Sequence, residues 1–190
     1  MKTVEPIRDS GKVRELEQVL ERVHDKRGQR MYLMLMVGIY LGLRISDMLK
    51  LRVNDLRGKN VLVLREQKTS KNAQLPIPDK LKRVCRERLA GLPGNAFIFE
   101  SRQRDRYGAP KAISRMTAYN DVQAMATIAK VDHPMGCHSL RKTFGYHYYK
   151  QTGDIAFLMI WFNHSSVEVT KRYIGIDLDE RVKKISKFEI

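Results

Sequence analysis

Two arginines, two histidines and a tyrosine stand along this chain in an order that suits chemistry on a phosphodiester. Arg44 follows a long apolar segment, and His138 and Arg141 are three residues apart. His164 precedes Tyr173 by nine residues. Guanidinium groups grip phosphate oxygens with paired donors, imidazoles move protons, and an activated tyrosine hydroxyl is a nucleophile. Each of these residues alone is more often a packing or surface residue, so the prediction depends on the set.

Local position strengthens two of these features. His138 and Arg141 have the spacing that places two side chains on one face of a helix. They fall in its first turn, where free backbone N–H groups also favour an anion. Arg44 stands at the mouth of a short helix, with Asp47 three residues further on. The sequence therefore predicts a phosphate-binding site assembled from separate segments.

Three blocks of sequence carry a family resemblance. GLRISDMLKL, HSLRKTFGYH and FNHSSVEVTKRY resemble the tyrosine recombinase (phage integrase) family, and the likeness runs from about Ser10 to Ile176. The resemblance implies these roles: Arg44 and Arg141 as catalytic arginines, Asp47 as a supporting acid, Lys68 as the mobile lysine, His138 and His164 as the two histidines, and Tyr173 as the nucleophile.

Two positions need comment within that resemblance. Lys71 lies three residues from Lys68 in the same turn, so either lysine could reach the scissile phosphate. Lys68 is preferred because it follows the first strand closely, where the family's lysine usually lies. Phe162 and Asn163 precede the second histidine, where the family often has Leu-Gly. Asparagine tolerates left-handed backbone geometry, so we expect the turn to survive.

The implied chemistry uses protein groups alone, without a metal or cofactor. The arginines and His164 would stabilise the charge that builds on the phosphate. His138 would accept the proton of Tyr173, and Lys68 would protonate the departing 5′ oxygen. The product is a 3′-phosphotyrosine that conserves bond energy, so rejoining needs no ATP. No GxxxxGK[ST] phosphate loop occurs in the sequence, which agrees with this expectation.

Composition points to a nucleic-acid partner and a reducing compartment. The 190 residues carry a net charge of +15 and a pI near 10.0, an excess that attracts polyanions. Basic segments such as 102–106 and 142–150 are candidates to follow a DNA backbone. Cys85 and Cys137 lack the spacing of a zinc site or disulfide framework. We see no signal peptide, and the apolar run Met31–Leu43 is too short to span a membrane, so we expect a cytoplasmic protein.

The apolar pattern predicts an α+β protein, mainly helical, with a small antiparallel β-sheet formed by a hairpin. Within the resemblance this is the tyrosine-recombinase catalytic-domain fold. The expected elements are a first helix capped by Ser10, a buried helix over Met31–Leu41, a short helix from Ser46 to Leu51, strands Asn60–Arg65 and Ala73–Ile77, a helix over Asp79–Leu89, a short strand Phe97–Phe99, a charged loop Ser101–Pro110, helices over Ser114–Lys130 and His138–Gln151, an apolar segment Asp154–Phe162, and a last helix to Tyr173 capped by Ser165 or Ser166.

The resemblance also implies an organisation and partners. We expect a catalytic domain over residues 1–176 and a C-terminal tail over 177–190, which docks either on a neighbouring protomer or on its own domain. The separate N-terminal DNA-clamping domain of many members is absent, as in a fragment or in short members that resemble the fimbrial phase-variation invertases. Expected partners are double-stranded DNA, three further copies in a homotetramer on two DNA sites, and accessory DNA-bending proteins, but no membrane.

Two alternative functions stay open at this point. A type IB topoisomerase uses a similar set of groups but relaxes supercoils without joining two sites. A DNA-binding module that has lost activity would share the basic charge, although all catalytic positions are filled here. The sequence does not specify the target DNA, nor whether the outcome is integration, excision, inversion or resolution.

Overall fold

The computed structural model of the chain describes residues 4–67, 72–176, 182–183, 185–186 and 188. The helices are α1 (Ser10–Glu21), α2 (Lys26–Leu41), α3 (Ile45–Met48), α4 (Val53–Leu56), α5 (Asp79–Arg88), α6 (Arg115–Ile128), α7 (Ser139–Thr152), α8 (Ile155–Phe162) and α9 (Val167–Ile174). The strands are β1 (Val61–Arg65), β2 (Asn72–Pro76), β3 (Glu100–Arg104) and β4 (Pro110–Ala112). The predicted α+β class, mainly helical, is confirmed.

Helix α2 forms the centre of the core. Its residues are apolar on almost every face, and Met34 to Val37 have no solvent exposure. Helices α1, α5 and α7 pack around it. A Cβ atom added at Gly38 would lie 2.7 Å from the Leu140 Cβ, so the two backbones approach closely where α2 crosses α7. The helix that carries Arg141 is therefore fixed against the most buried element of the fold.

Strands β1 and β2 form the predicted antiparallel hairpin. Val61 pairs with Pro76 at one end of the ladder, and Arg65 pairs with Asn72 at the other. The connecting residues 68–71 lie outside the described part of the chain. The hairpin follows α4 and leads into α5. Its turn end, residues 66–67, is tied to α3 by a hydrogen bond from the Gln67 backbone N–H to the Asp47 carboxylate.

A second hairpin replaces the charged loop that the sequence predicts over residues 101–110. Strands β3 and β4 pair antiparallel with an irregular register between Glu100 and Arg104. The predicted strand at 97–99 contributes only a single bridge, between Phe97 and Arg52. The side chains of β3 beyond Ser101 are exposed, so the strand shows no alternation of apolar and polar residues. The loop prediction was wrong because that alternation is the signal it relied on.

Polar side chains cap most of the longer helices. Asp9, not the predicted Ser10, caps α1, and its carboxylate accepts hydrogen bonds from the next free backbone N–H groups. Ser114 caps α6, and Ser166 rather than Ser165 caps α9. Ser166 fixes where the last helix begins, and thereby sets the position of the tyrosine on it.

The C-terminal helices share a small core of their own. Tyr146, Leu158, Phe162, Ile174 and Ile176 are buried against one another beneath α7, α8 and α9. This cluster ties the three helices together. They carry most of the residues of the predicted site, so their mutual packing sets the geometry of that site.

The N-terminal segment over residues 4–8 lies along α7. The Ile7 backbone N–H donates to the Thr143 hydroxyl at 2.9 Å, and the Ile7 carbonyl lies 2.9 Å from His147 Nε2. The Lys142 ammonium donates to the Val4 carbonyl at 2.7 Å. Lys142 is only 6% exposed, and burial lowers its pKa, so this residue cannot track a DNA backbone as the sequence suggested.

Candidate active site

The turn between α2 and α3 presents the first arginine. Helix α2 ends at Gly42, whose φ of 57° is left-handed. A Cβ atom there would lie 2.5 Å from the Phe144 ring, so glycine is required for both its backbone angle and its small size. The chain then reverses, and Arg44 becomes the N-cap residue of α3. Its side chain is 13% exposed and points toward the end of α8 and the turn end of the first hairpin.

The first turn of α7 presents the second arginine and the first histidine. His138 is the exposed N-cap residue, and Arg141 is buried with 4% exposure. The Arg141 guanidinium donates from Nη1 to the Gly42 carbonyl and stacks over the Phe162 ring at 4.3 Å. The predicted pair is thus split between a solvent-facing imidazole and a nearly inaccessible guanidinium.

A single backbone carbonyl joins the two arginines. Phe162 O accepts from Arg44 Nη2 at 3.2 Å and from Arg141 Nη2 at 3.3 Å. Phe162 is the last residue of α8, so its carbonyl has no partner in the next turn of the helix. Asn163 follows with φ 54° and ψ 51°, the left-handed geometry that the sequence predicted. That turn leaves the carbonyl free to hold both guanidinium groups.

The second histidine, in the turn before α9, contacts the tyrosine on that helix. His164 Nδ1 lies 3.1 Å from the Thr170 hydroxyl, and its ring packs edge-on against Tyr173 with centroids 5.0 Å apart. The Tyr173 hydroxyl lies 3.4 Å from His138 Nδ1. The structure therefore brings the predicted Arg44, His138, Arg141, His164 and Tyr173 into one cluster.

Burial and charge act in opposite directions on the tyrosine. Burial raises the pKa of the Tyr173 phenol above its ordinary value. The charge and hydrogen bond of Arg141, and the charge of Arg44, oppose that rise. Burial is the main cause that lowers the pKa of Arg141 to about 10. The neighbouring charge of Arg44 lowers the same pKa as well. At neutral pH the Arg141 guanidinium is charged and the Tyr173 phenol is protonated.

The predicted supporting acid and lysine have different outcomes. Asp47 is 5% exposed, and its carboxylate accepts from the Gln67 backbone N–H at 2.8 Å. Asp47 therefore ties the turn end of the β1–β2 hairpin to α3. Among the described residues, its carboxylate makes no hydrogen bond to the Arg44 side chain, and the two residues are joined by the Asp47 backbone N–H, which donates to the Arg44 carbonyl at 2.9 Å. Lys68 and Lys71 both lie outside the described residues.

Sequence reasoning missed two members of the site. Glu66 pairs with Arg44, with Oε1 2.5 Å from Nη1. The sequence signal for Glu66 is its position two residues before Lys68, next to the turn of the predicted hairpin. The Phe162 carbonyl was missed because backbone acceptors leave no mark on residue types.

Among the described residues, no group of three or more His, Cys, Asp and Glu side chains could hold a metal ion. No described helix is long and apolar enough to cross a bilayer.

Comparison with known proteins agrees with this arrangement. The sequence model of the phage integrase family matches residues 11–179. The probable integrase/recombinase YoeC of Bacillus subtilis (strain 168) is 40% identical over 179 residues, which cover 94% of this chain and 93% of that protein.

Solved structures share the fold at lower identity. The XerH site-specific recombinase, in a post-cleavage complex with palindromic difH substrate, matches 98% of this chain and 54% of its own with a TM-score of 0.71 and 15% identity. The catalytic domain of bacteriophage HP1 integrase matches 95% of each chain with a TM-score of 0.61 and 20% identity. The predicted tyrosine-recombinase catalytic-domain fold is confirmed, and the chain belongs to the phage integrase family.

Proposed function

We propose that this chain is a site-specific DNA recombinase that breaks and rejoins a DNA strand through a covalent bond to Tyr173. One observation carries the proposal: two guanidinium groups converge on the Phe162 carbonyl beside a tyrosine whose hydroxyl faces His138. Such a cluster offers positive charge, a nucleophile and a proton acceptor within one small space. The match to YoeC over nearly the full length of both chains supports the same activity.

Arg44 and Arg141 are the groups that would hold the scissile phosphate. Each guanidinium has five N–H donors. Among the described residues, Arg44 donates to two protein acceptors, and Arg141 donates to two backbone carbonyls and also bonds to Tyr173. The remaining donors are available for nonbridging oxygens, where charge builds in the transition state. His164 packs on Tyr173 and would add a further hydrogen bond to the same phosphate.

Tyr173 performs the substitution at phosphorus. Its hydroxyl oxygen forms a bond to the phosphorus atom, and the bond from phosphorus to the 5′ oxygen breaks. His138 takes the phenolic proton, and Lys68 supplies a proton to the departing 5′ oxygen. The products are a 3′-phosphotyrosine and a 5′ hydroxyl, and the reverse reaction with a new 5′ hydroxyl restores the DNA strand.

Positive charge outside the cluster would hold the duplex. The chain has a net charge of +15, and the second hairpin exposes Arg102, Arg104 and Arg106. Phosphate contacts of this kind fix the position of DNA without reading its sequence. DNA affinity should therefore fall steeply as salt concentration rises.

Assembly and compartment follow from the same proposal. In this proposal residues 1–176 are the catalytic domain, and 177–190 are a tail that would dock on a neighbouring protomer or on its own domain. Most of that tail lies outside the described residues. Four copies act on two DNA sites in the cytoplasm, aided by accessory DNA-bending proteins. The XerH neighbour is bound to palindromic DNA, which is the symmetry that paired protomers require.

The proposed activity can be tested with nicked duplexes tiled across the DNA that flanks the gene. A nick lets the short 5′ fragment diffuse away, so the covalent adduct accumulates and is seen on a denaturing protein gel. We expect an adduct from the wild-type protein and none from Tyr173→Phe, which removes only the nucleophilic oxygen. An adduct that persists in the variant would exclude Tyr173. Salt-sensitive DNA binding without any adduct would favour an inactive DNA-binding module.

A further inference from the structure

Glu66 forms a close ion pair with the first arginine. It is the first residue after strand β1, and its side chain is 11% exposed. Its Oε1 accepts from Arg44 Nη1 at 2.5 Å, while Arg44 Nη2 donates to the Phe162 carbonyl. Both partners are largely shielded from water, where an ion pair is stronger than at a surface. The guanidinium is therefore held at both ends.

The next residue makes a second tie between the same two segments. The Gln67 backbone N–H donates to the buried Asp47 carboxylate at 2.8 Å. Glu66 is thus bonded to Arg44, the N-cap residue of α3, and Gln67 is bonded to Asp47 within that helix. The turn end of the hairpin and the arginine are therefore held together. Lys68 is the next residue in the chain, and Lys71 follows three residues later.

The two arginines differ in what holds them. Arg141 is anchored by two backbone carbonyls, packs on an aromatic ring and is nearly inaccessible. Arg44 has one backbone carbonyl, shared with Arg141, and the Glu66 carboxylate. Among the described residues, loss of that carboxylate would leave the Phe162 carbonyl, 3.2 Å from Nη2 and shared with Arg141, to hold a side chain with several rotatable bonds. The orientation of Arg44 thus depends on Glu66.

We propose that Glu66 is a positioning residue for strand cleavage. It orients Arg44 toward the scissile phosphate and links that arginine to the turn end of the β1–β2 hairpin. This inference rests on the proposed recombinase function. In this role Glu66 acts through Arg44 and not on the phosphate, so its removal should slow the chemical step without weakening DNA binding. A carboxylate near the phosphate repels it, which gives a second reason for affinity not to fall.

The test measures covalent adduct formation with saturating protein on a nicked duplex, beside DNA affinity on the same duplex. Glu66→Ala should cleave about 10²-fold more slowly, the effect of a misplacement of about 1 Å. Glu66→Gln should lose less than about tenfold, because its amide oxygen still accepts from the guanidinium. Glu66→Asp withdraws the carboxylate by one methylene and should be slower than Glu66→Gln. Glu17→Gln, in a similarly shielded ion pair with Lys80, is the control for loss of one charge.

A double variant shows whether the effect passes through Arg44. In an Arg44→Ala background, where no guanidinium is left to orient, Glu66→Ala should add less than about threefold, because coupled residues do not contribute additively. A full additional loss would mean that Glu66 acts on another group. Wild-type cleavage by Glu66→Ala, or faster cleavage, would overturn the inference. If Glu66→Ala does not fold, equal rates for Glu66→Asp and Glu66→Gln would overturn it.

Failure of the broader proposal has a different signature. A wild-type protein that forms no adduct on any duplex would refute the recombinase function, and this inference with it. A wild-type protein that forms the adduct while Glu66→Ala matches it would refute the positioning role alone.

Discussion

Replacing the buried arginine by lysine should damage both the stability and the chemistry of this protein. Arg141→Lys keeps the positive charge but removes the planar fork that donates to two carbonyls at once. The Phe162 carbonyl would keep its bond from Arg44, whereas the buried Gly42 carbonyl would lose its side-chain partner. The variant therefore isolates the effect of one charge-assisted hydrogen bond in the core of the site.

The size of the effect follows from that lost bond. A hydrogen bond to a charged group contributes about 1.5–3 kcal/mol, so the free energy of unfolding should fall by about that amount. For a chain of this size each kcal/mol shifts Tm by about 2–4 °C, which gives a decrease of about 3–12 °C. Loss of a preorganised donor should also slow cleavage by about 10²–10³-fold.

Arg44→Lys is the matched comparison. Lysine at position 44 can still pair with Glu66, and the Phe162 carbonyl keeps its bond from Arg141. We expect a comparable loss of cleavage but a fall in stability of less than about 1 kcal/mol. Thermal melting and single-turnover cleavage of a nicked duplex measure the two quantities. If Arg44→Lys lowered Tm as much as Arg141→Lys, the assignment of the buried anchor to Arg141 would be refuted.

Three further predictions concern the proton acceptor, the lysine and the turn. Since the pKa of Tyr173 is raised above its ordinary value, the fraction of tyrosinate keeps rising with pH beyond 9. Cleavage by the wild type should level off above about pH 7.5, where an imidazole is neutral. Cleavage by His138→Ala should keep climbing, and identical profiles would exclude that histidine as the acceptor. Lys68→Ala should lose about 10²–10⁴-fold on normal DNA and recover when sulfur replaces the 5′ oxygen, because a thiolate leaves without a proton. Lys71→Ala should retain activity, and the opposite pattern would assign the role to Lys71. Asn163→Ala should lower the free energy of unfolding by about 1–2 kcal/mol while Asn163→Gly does not, since alanine is strained in the left-handed geometry that asparagine tolerates and glycine adopts freely. Equal melting temperatures for these two variants would contradict that account.

The sequence predicted the elements that have strong periodic signals. The two strands of the β1–β2 hairpin were expected within one residue of the observed bounds, since paired strands leave a clear pattern. The end of α2 at Leu41 was also expected, but the helix begins at Lys26, five residues before the apolar run over Met31–Leu41. The cap of α1 was misplaced by one residue, because Asp9 and Ser10 are both good cap residues. The choice between them depends on backbone angles that residue types do not contain.

The site was predicted only as far as side chains with recognisable chemistry could indicate it. Arg44 and Arg141 were expected to act together, yet their shared acceptor is a backbone oxygen that any residue possesses. Asp47 was expected to support Arg44, but its carboxylate accepts a hydrogen bond from the turn end of the hairpin, and Glu66 pairs with the arginine. Two acids near one arginine compete for it, and only the path of the chain decides between them.

The shared carbonyl of Phe162 has a consequence for how this enzyme can vary. No substitution can delete a main-chain oxygen, so mutation can only displace it by altering the bend that follows α8. A genetic screen for inactive proteins should therefore collect changes at Asn163, whose side chain holds no proposed catalytic role. Natural drift can exchange the residue at position 162 as long as the new side chain fills the space beneath the two guanidinium groups. Selection at this point acts on the shape of the chain and not on the identity of the residue that supplies the oxygen.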